Sequence, residues 1–573
     1  MAFFTTSPSR GTPAPGDGGQ ADENTPLLGE TPLIGDVVGG LAEPDLSEGS
    51  LMSSTVTEDE VPKGDREGSS PLVIVLVLVM GVFIGQMDGS FVLATHSNIA
   101  SEFQQLSNSG WLLTSYSLVG AATQPIIGKL SDIYGRRQCL LTSYAIFATG
   151  TLLSGILPTF AGVIFGRSIA GIGGAGLNSL VALIVLDLVP LREVATLRSY
   201  MNIASTTGRS LGGPLGGIFA DTIGWRWSFV AQVPLLLISA LLAWRLVPSH
   251  PLHHHTRASA PPQAVQLTAK EKLARIDFAG AALLAATITT LLLALEIAGK
   301  MSWTSPLVLG LLGGGLVLGA AFATVETWYT TEPVFPLFLL RDRAVVSAYG
   351  TLGTAVAAQI CLMYCVPIYF QVTQNASAAL AGTHLFPAVA GNAVGALISG
   401  LTIKRTGRYK ALAIIATISS SISYSLLMLR WRGHTGFWES LYIVPGGFGL
   451  GICEAAVFIS LSASVPKALQ GVALSGLFLT VSVGVLTGYA ASSSVLENVL
   501  RSELVRRLVG FEGADEIIRN SVSDIGYVKG LTGPIHDAVV ASYVRALEWT
   551  HAVSLVCMAI AFAASLAIPQ KRL

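Results

Sequence analysis

Fourteen apolar runs of membrane-spanning length alternate with polar turns along the chain. Their limits are close to residues 72–94, 111–130, 138–157, 160–186, 199–220, 227–247, 277–298, 306–328, 345–370, 383–403, 410–430, 438–461, 471–493 and 549–568. A helix needs about 20 apolar residues to cross the hydrocarbon core. In lipid a helix also satisfies its own backbone groups. Each run therefore predicts one transmembrane α-helix, and the chain is expected to be an all-α polytopic membrane protein. Trp111, Trp225, Trp227, Trp303, Trp328, Trp438 and Trp549 stand at run ends, as side chains of the membrane interface do. Three polar stretches are longer: 1–70, 248–276 and 494–548. In the last of these, 495–509 is amphipathic and is expected to lie on the membrane surface or to cap the bundle.

Composition agrees with this reading. Hydrophobic residues make up 51% of the chain and charged residues only 12%, against about 25% charged in soluble domains. The formal net charge of -1 argues against a nucleic-acid partner. Membrane lipids are the surroundings that these runs require. Lys and Arg mark one set of turns: Lys129, Arg136 and Arg137; Arg192 and Arg198; Lys270, Lys272 and Arg275; Arg341 and Arg343; Lys404, Arg405, Arg408 and Lys410; Lys467; Lys571 and Arg572. By the positive-inside rule both termini face the cytosol, and 494–548 is a long luminal loop. Residues 1–70 hold thirteen Asp or Glu against three Lys or Arg, which predicts a disordered acidic cytosolic tail. The linker 248–276 carries His253, His254 and His255 and reads as a solvated connection. Cys361 and Cys365 lie one turn apart without His or acidic partners and read as small apolar filler. No metal site, cofactor or enzymatic activity is expected.

An echo divides the chain. The segment from Gly128 to Arg137, after the second run, has the outline Gly, basic turn, Gly-Arg, new apolar run, and Gly400 to Lys410 repeats it after the tenth. With the middle pair 277–328 set aside, the plan is a six-helix bundle at 71–247 and another at 345–570. Duplicated halves with a site between them near the midplane are a common transporter plan.

Several runs carry chemistry. Asp88 lies inside the first, where a carboxylate is costly and marks a functional site or a structural hydrogen bond. Arg167 opens a glycine-rich stretch in the fourth and requires an acidic partner or a wet cavity, or else snorkels to the non-cytosolic interface. Glu454 in the twelfth is a candidate to neutralise a cation or carry protons, whereas Glu296 and Glu326 read as interfacial. In the fifth, Gly208, Gly212, Gly216 and Gly217 surround Pro214, a smooth and bendable helix face. No Gly-x-x-x-x-Gly-Lys-Ser/Thr phosphate loop occurs, so an ion gradient is the expected energy source. Glu23 precedes Leu27 and Leu28 in the tail as in a dileucine sorting signal for an adaptor complex. Asn375 begins an Asn-Ala-Ser glycosylation acceptor.

Together these motifs resemble the fourteen-span drug:proton antiporters of the major facilitator superfamily, over about residues 71–570. The markers are Asp88, Gly128 to Arg137, Arg167 to Gly176, Asp187 to Glu193, Gly208 to Gly217, Gly224 to Phe229, Arg275 to Asp277, and Glu332, Pro333 and Pro336. Within that family the chain looks most like the fungal vacuolar basic amino acid transporters, through Asp221 to Pro234, Lys404 to Lys410 and the acidic tail with Leu27 and Leu28. The resemblance implies the fold of that superfamily. It also implies proton-coupled antiport of lysine, arginine or histidine into the vacuole, with drug or metabolite efflux at the plasma membrane as the alternative. Asp88, Arg167 and Glu454 would couple protons to substrate. Gly128, Asp132, Gly135, Arg136 and Arg137 would form the gating motif and latch the halves on the cytosolic side. The block Asp88-Gly-Ser-Phe-Val departs from the usual Asp-x-Thr-Ile-Val pattern.

Overall fold

Each apolar run falls on a long helix of the structure, a computed structural model that describes residues 71–105, 108–248, 277–298, 303–330, 333–511, 513–523 and 525–573. The helices are α1 (Pro71–Glu102), α2 (Trp111–Tyr134), α3 (Arg136–Ile156), α4 (Phe160–Leu188), α5 (Leu191–Thr222), α6 (Gln232–Leu246), α7 (Phe278–Ala298), α8 (Pro306–Trp328), α9 (Arg343–Thr373), α10 (Phe386–Thr406), α11 (Lys410–Arg430), α12 (Val444–Ser464), α13 (Gln470–Arg507) and α14 (Gly533–Ala567). No strand occurs among the described residues. Twelve candidate spans are long and apolar enough to cross a membrane; α2 and α5, of 24 and 32 residues, are not among them. The tail with Glu23, Leu27 and Leu28 and the linker with His253 to His255 lie outside the described residues.

The two halves repeat one packing scheme. In the first, α1 packs on α5, α3 on α4 and α2 on α4; in the second, α9 packs on α13, α11 on α12 and α10 on α12. Adding eight to each label converts one set into the other. Between the halves, α5 lies against α10 and α12, and α13 lies against α2 and α4. The inserted helix α7 packs on α8, α2 and α13.

One end of the bundle collects the basic turns. There Arg136 pairs with Asp187 at 3.2 Å, Lys404 with Glu193 at 3.7 Å, and Lys571 Nζ donates to the Ser464 carbonyl at 3.4 Å. Gly135 and Gly407 turn the chain into the next helix at φ 91° and 67°, where a side chain would strain the backbone. This basic end is closed across both seams. A Cβ on Gly128 would lie 2.8 Å from the Gly471 carbonyl oxygen and 2.5 Å from Ser475 Oγ, and one on Gly400 would lie 2.7 Å from the Ala195 carbonyl oxygen. Ser199 Oγ also donates to the Ala396 carbonyl at 2.5 Å. Towards the opposite end, a Cβ on Gly213 or Gly217 of α5 would meet nothing within 4 Å.

The stretch 494–548 is helical over most of its length, not an open loop. No Gly or Pro interrupts residues 489–509, so α13 continues to Arg507, 38 residues in all. The amphipathic piece is the end of this rod. Its Leu496, Leu500 and Leu504 recur every fourth residue and are buried in one cluster with Val539, Tyr543 and Leu547 of α14. Tyr543 Oη donates to the Ser521 carbonyl at 2.7 Å and ties the connecting helix Ala514–Ser523 to this hairpin. The leucines thus cover protein instead of lipid, the outcome that i, i+4 spacing gives when a second helix lies alongside.

At the end opposite the basic turns, Glu102 accepts hydrogen bonds from Trp225 Nε1 at 2.5 Å and Arg226 Nη1 at 2.6 Å. Burial favours its neutral form, but Trp225 and Arg226 outweigh burial and hold the carboxyl below its ordinary value. The clamp therefore stabilises the fold above the unfolded carboxyl pKa of about 4.3 and is lost as pH falls through the lower folded value. The melting-temperature gap between wild type and Glu102→Gln should stay constant from about pH 7 to about pH 5 and shrink below about pH 4. Leu504→Ala should cost about 2–5 kcal/mol locally, read as faster proteolysis between residues 500 and 548 with the remaining helices intact.

Candidate functional site

Asp88 and Arg167 meet inside the first half. Arg167 Nη1 lies 2.7 Å from Asp88 Oδ2, and both residues are fully buried. Three helices build the pair: α1 supplies Asp88, α4 supplies Arg167, and Gln232 at the start of α6 donates from Nε2 to Asp88 Oδ1 at 3.4 Å. Arg167 Nε donates to the Leu112 carbonyl at 3.4 Å. The guanidinium also lies 4.5 Å from the Tyr116 ring centroid and 5.8 Å from that of Phe229. Arg167 does not snorkel to the interface. Such a pair survives burial because the carboxylate, a carbonyl and two ring faces replace water around the cation.

Glu454 belongs to a second cluster on the seam between the halves. It projects from α12, half-buried, and accepts a hydrogen bond from Asn202 Nδ2 of α5. Arg198, Asn202 and Arg209 stand four and seven residues apart and form a polar stripe along α5. The Arg198 guanidinium lies 4.4 Å from the Phe458 ring centroid, and Arg209 Nη2 donates to Gln86 Oε1 of α1 at 3.1 Å. Thr206 Oγ1 donates to Asn392 Oδ1 of α10 at 3.2 Å. The structure thus joins Asp88 to Arg167 and seats Glu454 elsewhere, with α5 running between the two clusters. Arg198 is a half-buried member of α5, not a loop cation, because the helix begins at Leu191 directly after Pro190.

The glycine motif of α5 serves this arrangement. A Cβ on Gly208, Gly212 or Gly216 would lie 2.5, 2.5 and 2.9 Å from atoms of Phe83, Met87 and Phe91 respectively. One glycine per turn therefore seats α5 against the turn of α1 that carries Asp88. Pro214 lies inside the helix. Gly217 faces open space and is not part of the contact.

In the gating motif, Arg136 pairs with Asp132 at 2.6 Å and with Asp187 at 3.2 Å, and bonds Ser131. Arg137 bonds the Trp244 carbonyl. These charges fasten α2, α3, α4 and α6 of one half to each other. Contact with the other half comes from the Gly128 backbone and from Asp132, whose Oδ2 would lie 2.9 Å from a Cβ on Gly471. Gly471 is in the first turn of α13, where a carboxylate favours the helix dipole.

Two acids expected at the interface have partners within the protein. Glu326 is buried and accepts from the Phe335 amide at 2.7 Å. Glu296 accepts from Thr114 Oγ1 of α2 at 2.8 Å. Asn375 is exposed at φ 52°, and Ser377 beside it caps the short helix Ala378–Thr383. Sequence reading assigned no role to Tyr116, Asn202, Arg209 and Gln232. The signal present was the polar stripe on α5; Tyr116 and Gln232 leave none in the sequence.

Comparison with known proteins follows the same lines. A family model described as Major Facilitator Superfamily matches residues 78–489. The vacuolar membrane amino acid uptake transporter fnx2 of Schizosaccharomyces pombe is 31% identical over 510 residues, covering 88% of this chain and 86% of the relative. Vacuolar basic amino acid transporter 1 of Saccharomyces cerevisiae is 30% identical over 495 residues, covering 80% and 85%. The multidrug resistance protein fnx1 of S. pombe is 31% identical over 503 residues, covering 87% and 92%. Among solved structures, the human organic anion transporter MFSD10 shares the fold with a TM-score of 0.54 at 14% identity, over 86% of this chain and all of that one. With two repeated six-helix halves, an inserted pair and these relatives, this multi-pass membrane chain is a transporter of the Major Facilitator Superfamily.

Proposed function

We propose that the protein exchanges cytosolic basic amino acids for luminal protons across the vacuolar membrane. The observation that carries this reading is the charge pattern on the seam: the Glu454 carboxylate faces an α5 stripe bearing Arg198, Asn202 and Arg209. A basic amino acid presents a carboxylate and a cationic side chain. Glu454 takes the cation, and an arginine of α5 takes the carboxylate. Two relatives named for vacuolar amino acid uptake support this substrate class.

Protons enter from the side opposite the basic turns. A proton accepted at Asp88 Oδ2 cancels the charge that holds Arg167, so α1 and α4 loosen in the protonated state. Because α5 lies directly on α1 and reaches Glu454 through Asn202, that change is felt at the seam. In this orientation the basic turns face the cytosol, and the described state is closed on that side. Efflux of drug-like compounds at the plasma membrane is a second reading, favoured by the similarity to fnx1.

Vesicles from vacuoles containing the protein should take up labelled lysine, arginine or histidine when a proton gradient is imposed. Glu454→Gln should lower that uptake about tenfold or more, since a hydrogen bond to a charged group is worth about 1.5–3 kcal/mol. Asp88→Asn should abolish the dependence on the gradient. Wild-type uptake by both variants would refute these roles. Drug export without amino acid uptake, from protein at the cell surface, would establish the second reading. Replacing Leu27 and Leu28 with Ala should move the protein to the cell surface if the tail holds its sorting signal.

A further inference from the structure

The inserted pair α7–α8 is fastened to both halves at the end opposite the basic turns. Thr114 Oγ1 of α2 donates to Glu296 Oε1 in the last turn of α7 at 2.8 Å. Trp303 Nε1, between α7 and α8, donates to Ser494 Oγ of α13 at 2.9 Å. Ser494 Oγ in turn lies 3.4 Å from the carbonyl oxygen of Ala298, which ends α7. Below these contacts, Leu284 and Ile288 of α7 share a separate apolar cluster with Leu118 and Ala122 of α2 and Leu486 of α13.

At the basic end the same two helices touch directly, through Gly128 against Gly471 and Ser475. So α2 and α13 converge at one end, while the last turn of α7 lies against both at the other. Alternating access rocks one half against the other. When the basic ends part, the Trp111 end of α2 and the Ser494 turn of α13 must approach each other. The last turn of α7 occupies the route of that approach.

We propose that α7–α8 is a wedge that favours the state closed at the basic end, and that Thr114, Glu296 and Ser494 are positioning residues that set the balance between the two states of the transport cycle. The wedge is a property of the seam and does not depend on which substrate passes. A hydrogen bond of net worth typical for proteins shifts a two-state balance about fivefold. Trp303 is exposed, so its bond shares donors and acceptors with solvent. The larger effect therefore falls on the half-buried Thr114–Glu296 contact.

The test uses the full chain in lipid nanodiscs with Ser475→Cys as reporter. Ser475 is fully buried in the basic-end seam, so maleimide reaches position 475 when that seam opens, and mass spectrometry reads its modification. Thr114→Val should raise the modification rate about fivefold, and adding Ser494→Ala should raise it further. Thr114→Ser, which keeps the donor, should restore the original rate. Unchanged or slower modification in Thr114→Val and in the double variant would overturn the proposal. A parallel rise at Cys365, buried inside the second half, would report general loosening and would overturn it as well.

Discussion

Lipid cannot solvate a charge, and the buried contact between Asp88 and Arg167 is this chain's answer to that constraint. Each ion alone would be costly in the bundle. Together they demand close approach of α1, α4 and α6, because the carboxylate, the guanidinium and Gln232 come from those three helices. The approach of α5 to the same turn of α1 then requires a face without side chains, which Gly208, Gly212 and Gly216 supply. Much of the first half is organised around one pair of charges.

The second half repeats the packing without repeating the pair. Its acidic residue on the seam is the half-buried Glu454, which reaches α5 of the first half instead of closing a pair inside its own bundle. That asymmetry places one satisfied charge cluster inside a half and one half-buried cluster between halves. On the proposed reading, the internal cluster takes the proton and the seam cluster meets the substrate, and α5 couples the two.

Much of the architecture was legible in the sequence, since run length and turn charge are local properties. The runs fell on helices, and the glycine spacing in α5 foretold its close contact. What was not legible depended on how helices end and on what lies alongside. Residues 494–548 read as a loop because polar residues break the apolar run, yet polar residues do not break a helix, and α13 runs on to Arg507, just short of Gly510. Arg198 read as a turn cation because apolar counting starts α5 late. Glu296 and Glu326 read as interfacial because they stand near run ends, and their partners, Thr114 and the Phe335 amide, come from elements that no periodicity links to them. The charges read as a gating motif find their partners within one half, and the cross-seam contact is largely a matter of backbone shape.

The uninterrupted rod of α13 has a mechanical consequence. At 1.5 Å per residue its 38 residues span about 57 Å, roughly twice the hydrocarbon thickness. Its first turn abuts Gly128 and its far leucines anchor the hairpin with α14. A stiff lever of that length, pivoting by about 10°, sweeps its distant tip through about 10 Å. The small rearrangement that parts the basic seam is thereby amplified into a larger displacement of the hairpin that α13 makes with α14.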